Sequence, residues 1–147
     1  MKVLIYTHEF PPFLGGLATT SLKLASGLLA SGLEVSGLAP GYGKGAHEGD
    51  HGLGVRVTRI PSLGAGLSKS VPFADILLGR SHLSRAVAAE KPDAVHFITE
   101  EAEAAGGLLS SYPFVPIARV AGSGITTCFL GNNPLKRLMR NPLARLY

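Results

Sequence analysis

The sequence predicts an α/β domain in which a parallel sheet is covered by helices on both faces. Short apolar runs rich in Val, Ile and Leu alternate along the chain with longer stretches whose apolar residues recur every three or four positions. Glycines and prolines separate these segments. Segments that alternate in this way form parallel sheets, because each helix carries the chain back to the start of the next strand.

The first strand–helix–strand unit shows the pattern most clearly. The apolar run over 2–6 predicts a strand that is buried on both faces. The sequence THEFPPFLGG follows, and its two prolines and two glycines predict a loop. Leucines and alanines at helical spacing then predict a helix over 17–31 with Gly32 at its C-cap, followed by a strand over 33–39.

The rest of the chain continues the alternation. In chain order, we expect an exposed glycine-rich loop over 41–54, strands over 55–60, 94–98 and 115–120, helices over 73–90 and 102–110, and a tail helix over 134–147 that Pro142 interrupts. With 147 residues, 46% of them hydrophobic, the chain has enough apolar side chains for one core. We therefore treat 1–147 as one Rossmann-like domain.

The composition argues against several classes of protein. Cys128 is the only cysteine, so an internal disulfide and a cysteine metal cluster are both excluded, and a reducing, cytoplasmic location is expected. The opening MKVLIYTHEF has too short an apolar run for a signal peptide. No uninterrupted apolar stretch is long enough to predict a membrane span.

The net charge of +4 is concentrated near the end of the chain, in NPLKRLMRNPLARLY. Such a basic tail is more often a solvated helix face, although peripheral contact with an anionic membrane is the alternative. The tail lacks interleaved aromatic residues, so a nucleic-acid partner is not expected.

Ligands of parallel α/β sheets bind outside the carboxyl ends of the strands, here the loops after the first, fourth and fifth predicted strands. In the first loop, Gly15 and Gly16 precede the helix. Adjacent glycines permit a positive φ and a close approach of ligand to main chain, and a helix N-terminus favours an anion such as a diphosphate. They match neither the dinucleotide fingerprint nor the P-loop, and a simple turn into the helix is an equal alternative.

Polar residues and a glycine turn follow these same strands. Those after the first strand either contact a substrate or anchor the loop, and those after the fourth either bind acceptor hydroxyls or form a charged helix N-terminus. Gly122 and Ser123, which follow the fifth predicted strand, could form a second turn near the ligand. These substrate-binding candidates are His8, Glu9, Thr99, Glu100, Glu101, Gly122 and Ser123. No catalytic residue and no metal ligand is assigned.

The ordered motifs resemble the N-terminal half of family 4 glycosyltransferases of the GT-B fold. The resemblance begins in the first predicted unit and extends through the fifth predicted strand. It is carried by Phe10-Pro11-Pro12, Gly15-Gly16, Leu24-Ala25, Leu28, Gly32, Glu34-Val35, Gly54-Val55-Arg56-Val57, Pro61, Lys91-Pro92-Asp93-Ala94-Val95-His96 and Val115-Pro116-Ile117.

This resemblance implies the acceptor-binding domain of a retaining, nucleotide-sugar-dependent enzyme that transfers a sugar to a hydroxyl acceptor. The donor would be bound mainly by a C-terminal domain or a separate chain, approached across a cleft by Gly15 and Gly16. The domain is thus expected to be incomplete at its C-terminal end and inactive alone. The resemblance implies a sugar, lipid or small-molecule acceptor, and no metal or other cofactor.

A second hypothesis belongs to another class. Ala121 stands where the family often has a histidine, and alanine can neither hydrogen-bond nor move a proton. Together with the basic tail, this leaves open a non-catalytic Rossmann-like binding or scaffold subunit that pairs with a separate catalytic chain.

Overall fold

The computed structural model describes residues 1–44, 54–65 and 74–118. Within these ranges, five strands form one sheet in the order β3-β2-β1-β4-β5, and every neighbouring pair is parallel. The elements are β1 Lys2–Tyr6, α1 Gly16–Ala30, β2 Glu34–Pro40, β3 Arg56–Ile60, α2 Ala74–Glu90, β4 Ala94–Phe97, α3 Glu100–Gly107 and β5 Val115–Ala118. The predicted α/β, Rossmann-like architecture is confirmed.

Helices cover both faces of the sheet, which explains why the central strands β1 and β4 are buried along almost their whole length. Leu4 and Tyr6 of β1 belong to a core that includes Leu83 of α2 and Ala105 of α3. Ile5 points to the other face, where it belongs to a second core with side chains of α1. Successive residues of a strand point to opposite faces, so each face of β1 buries its own set of side chains.

Helix α1 ends where its sequence predicts. The backbone N–H of Gly32 donates to Leu29 O at 2.9 Å, and that of Leu33 donates to Leu28 O at 3.1 Å. This is a Schellman motif, which requires a left-handed residue after the C-cap. Ser31 is the C-cap, and Gly32 takes the left-handed position with a φ of 79°. Glycine adopts that φ without a steric cost.

Helix α3 begins earlier than its apolar spacing predicts. The expected start was residue 102, but the helix starts at Glu100 with Thr99 as N-cap. Glu100, Glu101 and Glu103 occupy its first turn. Carboxylates are favoured there because the helix dipole places partial positive charge at the N-terminus. The acidic run was therefore the signal for the helix start.

The strand order identifies where a ligand is expected to bind. From β1 the chain proceeds to β2 and β3 on one side, whereas β4 and β5 lie on the other. The loops after β1 and β4 thus leave the sheet in opposite directions and open a crevice at its carboxyl edge. The predicted tail helix, the Gly122–Ser123 turn and most of the glycine-rich loop lie outside the described residues.

Candidate functional site

The loops that follow β1 and β4 are joined at the crevice by one hydrogen bond. The backbone N–H of His8 donates to Oγ1 of Thr99 at 3.1 Å. Thr99 is the N-cap of α3, yet its side chain makes no capping bond to that helix. The Thr99 residue is buried, with 5% of its surface exposed, and its hydroxyl bonds to the β1 loop instead. Thr99 therefore ties the two loops together just beyond the paired strand ends, where the Ile98 N–H also donates to Tyr6 O at 3.1 Å.

The β1 loop is also tied to the helix that follows it. Oγ1 of Thr7 accepts the backbone N–H of Glu9 at 3.1 Å and lies 3.0 Å from Glu9 O. Oγ of Ser21, on α1, lies 2.8 Å from Leu17 O and 3.1 Å from Glu9 O, so it can donate to either. These bonds are buried or half-buried and hold the backbone around His8 in one conformation.

A cluster of ionisable side chains surrounds His8. The hydroxyl of Tyr6 lies 3.0 Å from Nε2 of His8. Asp75 is in the first turn of α2, and Glu101 is in the first turn of α3. Oδ1 of Asp75 is buried and has no hydrogen-bond partner among the described residues. A buried carboxylate oxygen in this situation can accept a hydrogen bond from a ligand.

The pKa values of the cluster reflect burial and two nearby carboxylates. Burial lowers the pKa of His8 below its ordinary value, although Glu101 and Asp75 act in the opposite direction. Burial raises the pKa of the Tyr6 hydroxyl, and Asp75 and Glu101 raise it further. At neutral pH the cluster therefore presents a neutral imidazole and a protonated phenol beside acidic side chains.

The structure corrects the predicted backbone conformation of the two glycines. Neither provides a positive φ: Gly15 is extended, with a φ of −170° and a ψ of 165°, and Gly16 is the first residue of α1. A Cβ at Gly15 would lie 2.9 Å from Oε2 of Glu9 and 3.0 Å from Cε1 of Phe13, whereas one at Gly16 would meet nothing within 4 Å. Space, not backbone conformation, thus favours glycine at position 15, since a Cβ there would displace the Glu9 carboxylate and press on the Phe13 ring.

The helix N-terminus beside these glycines retains its predicted electrostatic character. Gly15 is the N-cap of α1, no side chain caps the helix, and its first turn contains no acidic residue. The carboxylate of Glu9, however, lies against Gly15. An anion that approached the α1 N-terminus would share that space with a negative charge.

Arg59 and Tyr42 lie at the carboxyl edge of the sheet, and the sequence did not predict either as a site residue. Arg59 is buried, and its guanidinium donates to Pro40 O at 3.2 Å and to Pro11 O, with Cζ 5.6 Å from the ring centre of Phe10. The hydroxyl of Tyr42 donates to His8 O at 3.2 Å. Both side chains link loops that are far apart in sequence, and an arginine inside a strand or a tyrosine between glycines gives no sign of such contacts.

The remaining predicted residues divide by position. Glu100 and Glu101 are exposed in the first turn of α3, which is compatible with both roles considered for them. Within the described ranges the structure brings together His8, Thr99 and Glu101, while Gly16 faces open space. Gly122 and Ser123 lie outside the described residues.

Two features are absent from residues 1–44, 54–65 and 74–118. In these ranges no three His, Cys, Asp or Glu side chains are grouped so that they could hold a metal ion. Over the same part of the chain, no helix has the length and apolar character needed to cross a bilayer.

Comparison with known proteins assigns the family. No curated protein sequence matches the chain. Residues 15–129, which include α1, all of the described elements after it and the crevice loops after β4, match the family described as Glycosyl transferase 4-like domain. That range covers more than half of the 147 residues. With its parallel Rossmann-like sheet, the chain belongs to the glycosyl transferase 4-like domain family.

Proposed function

We propose that this domain binds the hydroxyl acceptor of a retaining, nucleotide-sugar-dependent glycosyltransferase at the carboxyl edge of its sheet. In the proposed reaction the acceptor oxygen bonds to the anomeric carbon of the donor sugar, the bond from that carbon to the diphosphate oxygen breaks, and the acceptor's hydroxyl proton passes to the departing nucleoside diphosphate. A C-terminal domain or a separate chain binds most of the nucleotide sugar. The domain alone is inactive in this proposal.

The observation that carries the proposal is the buried Oδ1 of Asp75, which lies beside the His8 cluster and has no hydrogen-bond partner within residues 1–44, 54–65 and 74–118. A carboxylate oxygen accepts hydrogen bonds but donates none, so it matches the O–H groups of a sugar or polyol. Burial strengthens such a bond because no water competes for the oxygen. Asp75 is thus suited to position an acceptor hydroxyl.

Charge supports the same class of ligand. Asp75 and Glu101 are close enough to shift the pKa values of both Tyr6 and His8. Two carboxylates repel an anionic group but attract the positive end of a hydroxyl dipole. We therefore place neutral hydroxyl groups, and not the donor diphosphate, at this end of the crevice.

Binding of nucleotide sugars to the isolated chain tests the division of labour. Calorimetric titration with UDP-glucose and with GDP-mannose should show no saturable binding in the micromolar range, because the proposed donor site lies in another domain. Tight binding of either compound by these 147 residues would contradict the proposal.

Transfer kinetics test the acceptor site. The chain is combined with a donor-binding domain supplied as a separate chain, and transfer of radiolabelled sugar to a panel of hydroxyl acceptors is measured. Asp75→Asn and Glu101→Gln should raise the acceptor KM and leave the donor KM unchanged. Asp93→Asn and Glu34→Gln are matched controls, since both residues contact Lys2 at the opposite edge of the sheet.

Equal acceptor KM values for all four variants would overturn the acceptor site at Asp75. If no acceptor is glycosylated by any combination, while the two chains still associate, the scaffold hypothesis replaces the enzymatic one.

A further inference from the structure

Two stacked aromatic rings lie at the carboxyl edge of the sheet, next to the α1 N-terminus. The rings of Phe13 and Tyr42 have centroids 6.0 Å apart and planes inclined by 17°. We call this pair the aromatic ledge. Phe13 is 42% exposed even though it is a large apolar side chain. The exposed ring presents an aromatic face at the carboxyl edge, where ligands of such sheets bind.

The backbone at Tyr42 is in a rare conformation. Its φ is 51°, which is uncommon for a residue with a bulky side chain. A Cβ at Gly64 would lie 2.3 Å from Cδ1 of Tyr42, so the ring occupies space that only a glycine leaves open. The Tyr42 N–H donates to Leu63 O at 3.0 Å. Strained residues held by their surroundings in this way are concentrated at functional sites.

Phe13 is positioned by contacts on two further sides. Its backbone N–H donates to Phe10 O at 3.1 Å. Its ring edge lies against Gly15, where a Cβ would come within 3.0 Å of Cε1. Tyr42, in turn, is tied to the β1 loop through the hydrogen bond from its hydroxyl to His8 O. The ledge is therefore ordered before any ligand arrives, which lowers the entropic cost of binding.

The Glu9 carboxylate lies beside the Phe13 ring. Oε2 of Glu9 would lie 2.9 Å from the same Gly15 Cβ position that approaches Phe13. An aromatic face attracts the weakly positive C–H groups of a pyranose ring, and a neighbouring carboxylate accepts its hydroxyl protons. The same carboxylate repels the anionic surface of a membrane. The pairing of ring and carboxylate favours a sugar over a lipid.

We propose that the aromatic ledge of Phe13 and Tyr42 is a stacking site for a pyranose ring of the acceptor, with Glu9 receiving one of its hydroxyl groups. This inference deepens the proposed acceptor function and rests on it. It identifies the acceptor as a saccharide or a glycoside, whereas the cluster around His8 requires only a hydroxyl group.

The experiment is saturation-transfer NMR on the full chain with methyl β-D-glucopyranoside and methyl β-D-galactopyranoside as probes. Saturation should reach the C–H protons of one face of the sugar ring. Phe13→Ala and Phe13→Leu should weaken binding about three- to tenfold, and Phe13→Tyr should retain it. Leu14→Ala is the control, because Leu14 is the adjacent residue and is 95% exposed.

The variants distinguish stacking from general apolar contact. Leucine at position 13 keeps an apolar side chain but has no aromatic face, so undiminished sugar binding by Phe13→Leu would overturn the proposal. Co-sedimentation with vesicles of equal parts phosphatidylcholine and phosphatidylglycerol tests the membrane outcome. Vesicle binding that falls in both Phe13→Ala and Leu14→Ala, without saturation transfer to either sugar, would also overturn it.

Failure of this inference differs from failure of the proposed function. If glycosyl transfer occurs with an acceptor KM that Phe13→Ala does not change, the stacking role of the aromatic ledge is disproved. The proposed acceptor site at Asp75 is not affected by that result. If sugar binding depends on Phe13 but no donor domain supports transfer, the stacking role of the aromatic ledge is supported and the proposed transferase function is disproved.

Discussion

The hydroxyl of Thr99 accepts the backbone N–H of His8 at 3.1 Å and so connects two loops whose residues are 91 positions apart. Thr99 is the N-cap of α3 but gives its side chain to the β1 loop. Together with the backbone bond from Ile98 N–H to Tyr6 O, this buried hydroxyl ties the two loops that border the crevice.

Replacing Thr99 with valine keeps the shape of the side chain and removes the acceptor. The N–H of His8 then lacks its partner, and we expect the free energy of unfolding to fall by about 1–3 kcal/mol. Thr99→Ser should recover most of the loss. Thr58→Val, on an exposed position of β3, is the control and should have little effect. Denaturant unfolding measures all three, and a valine variant as stable as the parent would contradict the role of this bond.

Gly79 provides the space for the Tyr6 hydroxyl. A Cβ at Gly79 would lie 2.0 Å from Oη of Tyr6, so Gly79→Ala should destabilise the fold by about 1–3 kcal/mol. The double variant Gly79→Ala/Tyr6→Phe lacks the Tyr6 hydroxyl oxygen that the new Cβ would meet, so part of the lost stability should be recovered. Gly27→Ala is the control because a Cβ there meets nothing within 4 Å. It should stabilise α1 by up to about 1 kcal/mol.

Thermal or urea unfolding of these glycine variants gives the comparison directly. Equal stability of Gly79→Ala and Gly27→Ala would show that the Tyr6 ring moves without cost and that the tight fit at Gly79 is unimportant.

The lowered pKa of His8 predicts a dependence of stability on pH. Between the folded-state pKa and the ordinary value of about 6.5, the unfolded chain binds a proton that folded His8 does not. The free energy of unfolding should therefore decrease as the pH falls from 7 to 5. The contribution of His8 is complete above its unfolded pKa and is lost as the pH drops through this window.

His8→Gln should flatten that dependence. His82→Gln is the matched control, because His82 also has a pKa lowered by burial and by Arg85 but lies on α2 away from the cluster. His82→Gln should reduce the dependence of the free energy of unfolding on pH by a smaller amount, since His82 is much less buried than His8. Urea unfolding measured from pH 5 to 7 tests this, and an unchanged slope in His8→Gln would disprove the assignment.

Arg59 holds the Pro11 and Pro40 segments together through two carbonyl oxygens. Arg59→Lys keeps the charge but loses the planar fork and its position over Phe10, so we expect a loss of about 2–4 kcal/mol. Arg56→Lys is the control, because the Arg56 side chain is largely exposed and its ion pair with Glu90 should contribute less than about 1 kcal/mol. Unfolding curves that coincide for the two variants would show that the fork geometry at Arg59 is dispensable.

Local signals predicted most of the fold. The run at 2–6 matches β1, Gly32 ends α1 as its left-handed residue, and Pro61 follows β3 directly. Apolar periodicity reports burial, and glycine and proline report backbone conformation, so both are readable without tertiary contacts. The start of α3 was missed because its signal is electrostatic, in the acidic residues of the first turn, and not periodic.

The candidate site was predicted only in part. Position after a strand identified His8, Glu9 and Thr99, because the carboxyl edge follows from the strand pattern. It could not identify Asp75, Tyr42 or Arg59, which reach the same edge from other elements. Their roles depend on which loops become neighbours, and the strand order that decides this is not written in any local pattern.

The sequence by itself determined the alternation of strands and helices and the burial of the first strand on both faces, and it predicted the edge at which a ligand is expected to bind. Only the tertiary structure decided that Gly15 lies against Glu9 and Phe13, that Thr99 bonds to His8, and that Phe13 stacks on Tyr42. The physical reason is range: helix and strand formation depend on neighbours within a few positions, whereas these contacts join side chains whose proximity exists only after the sheet has assembled.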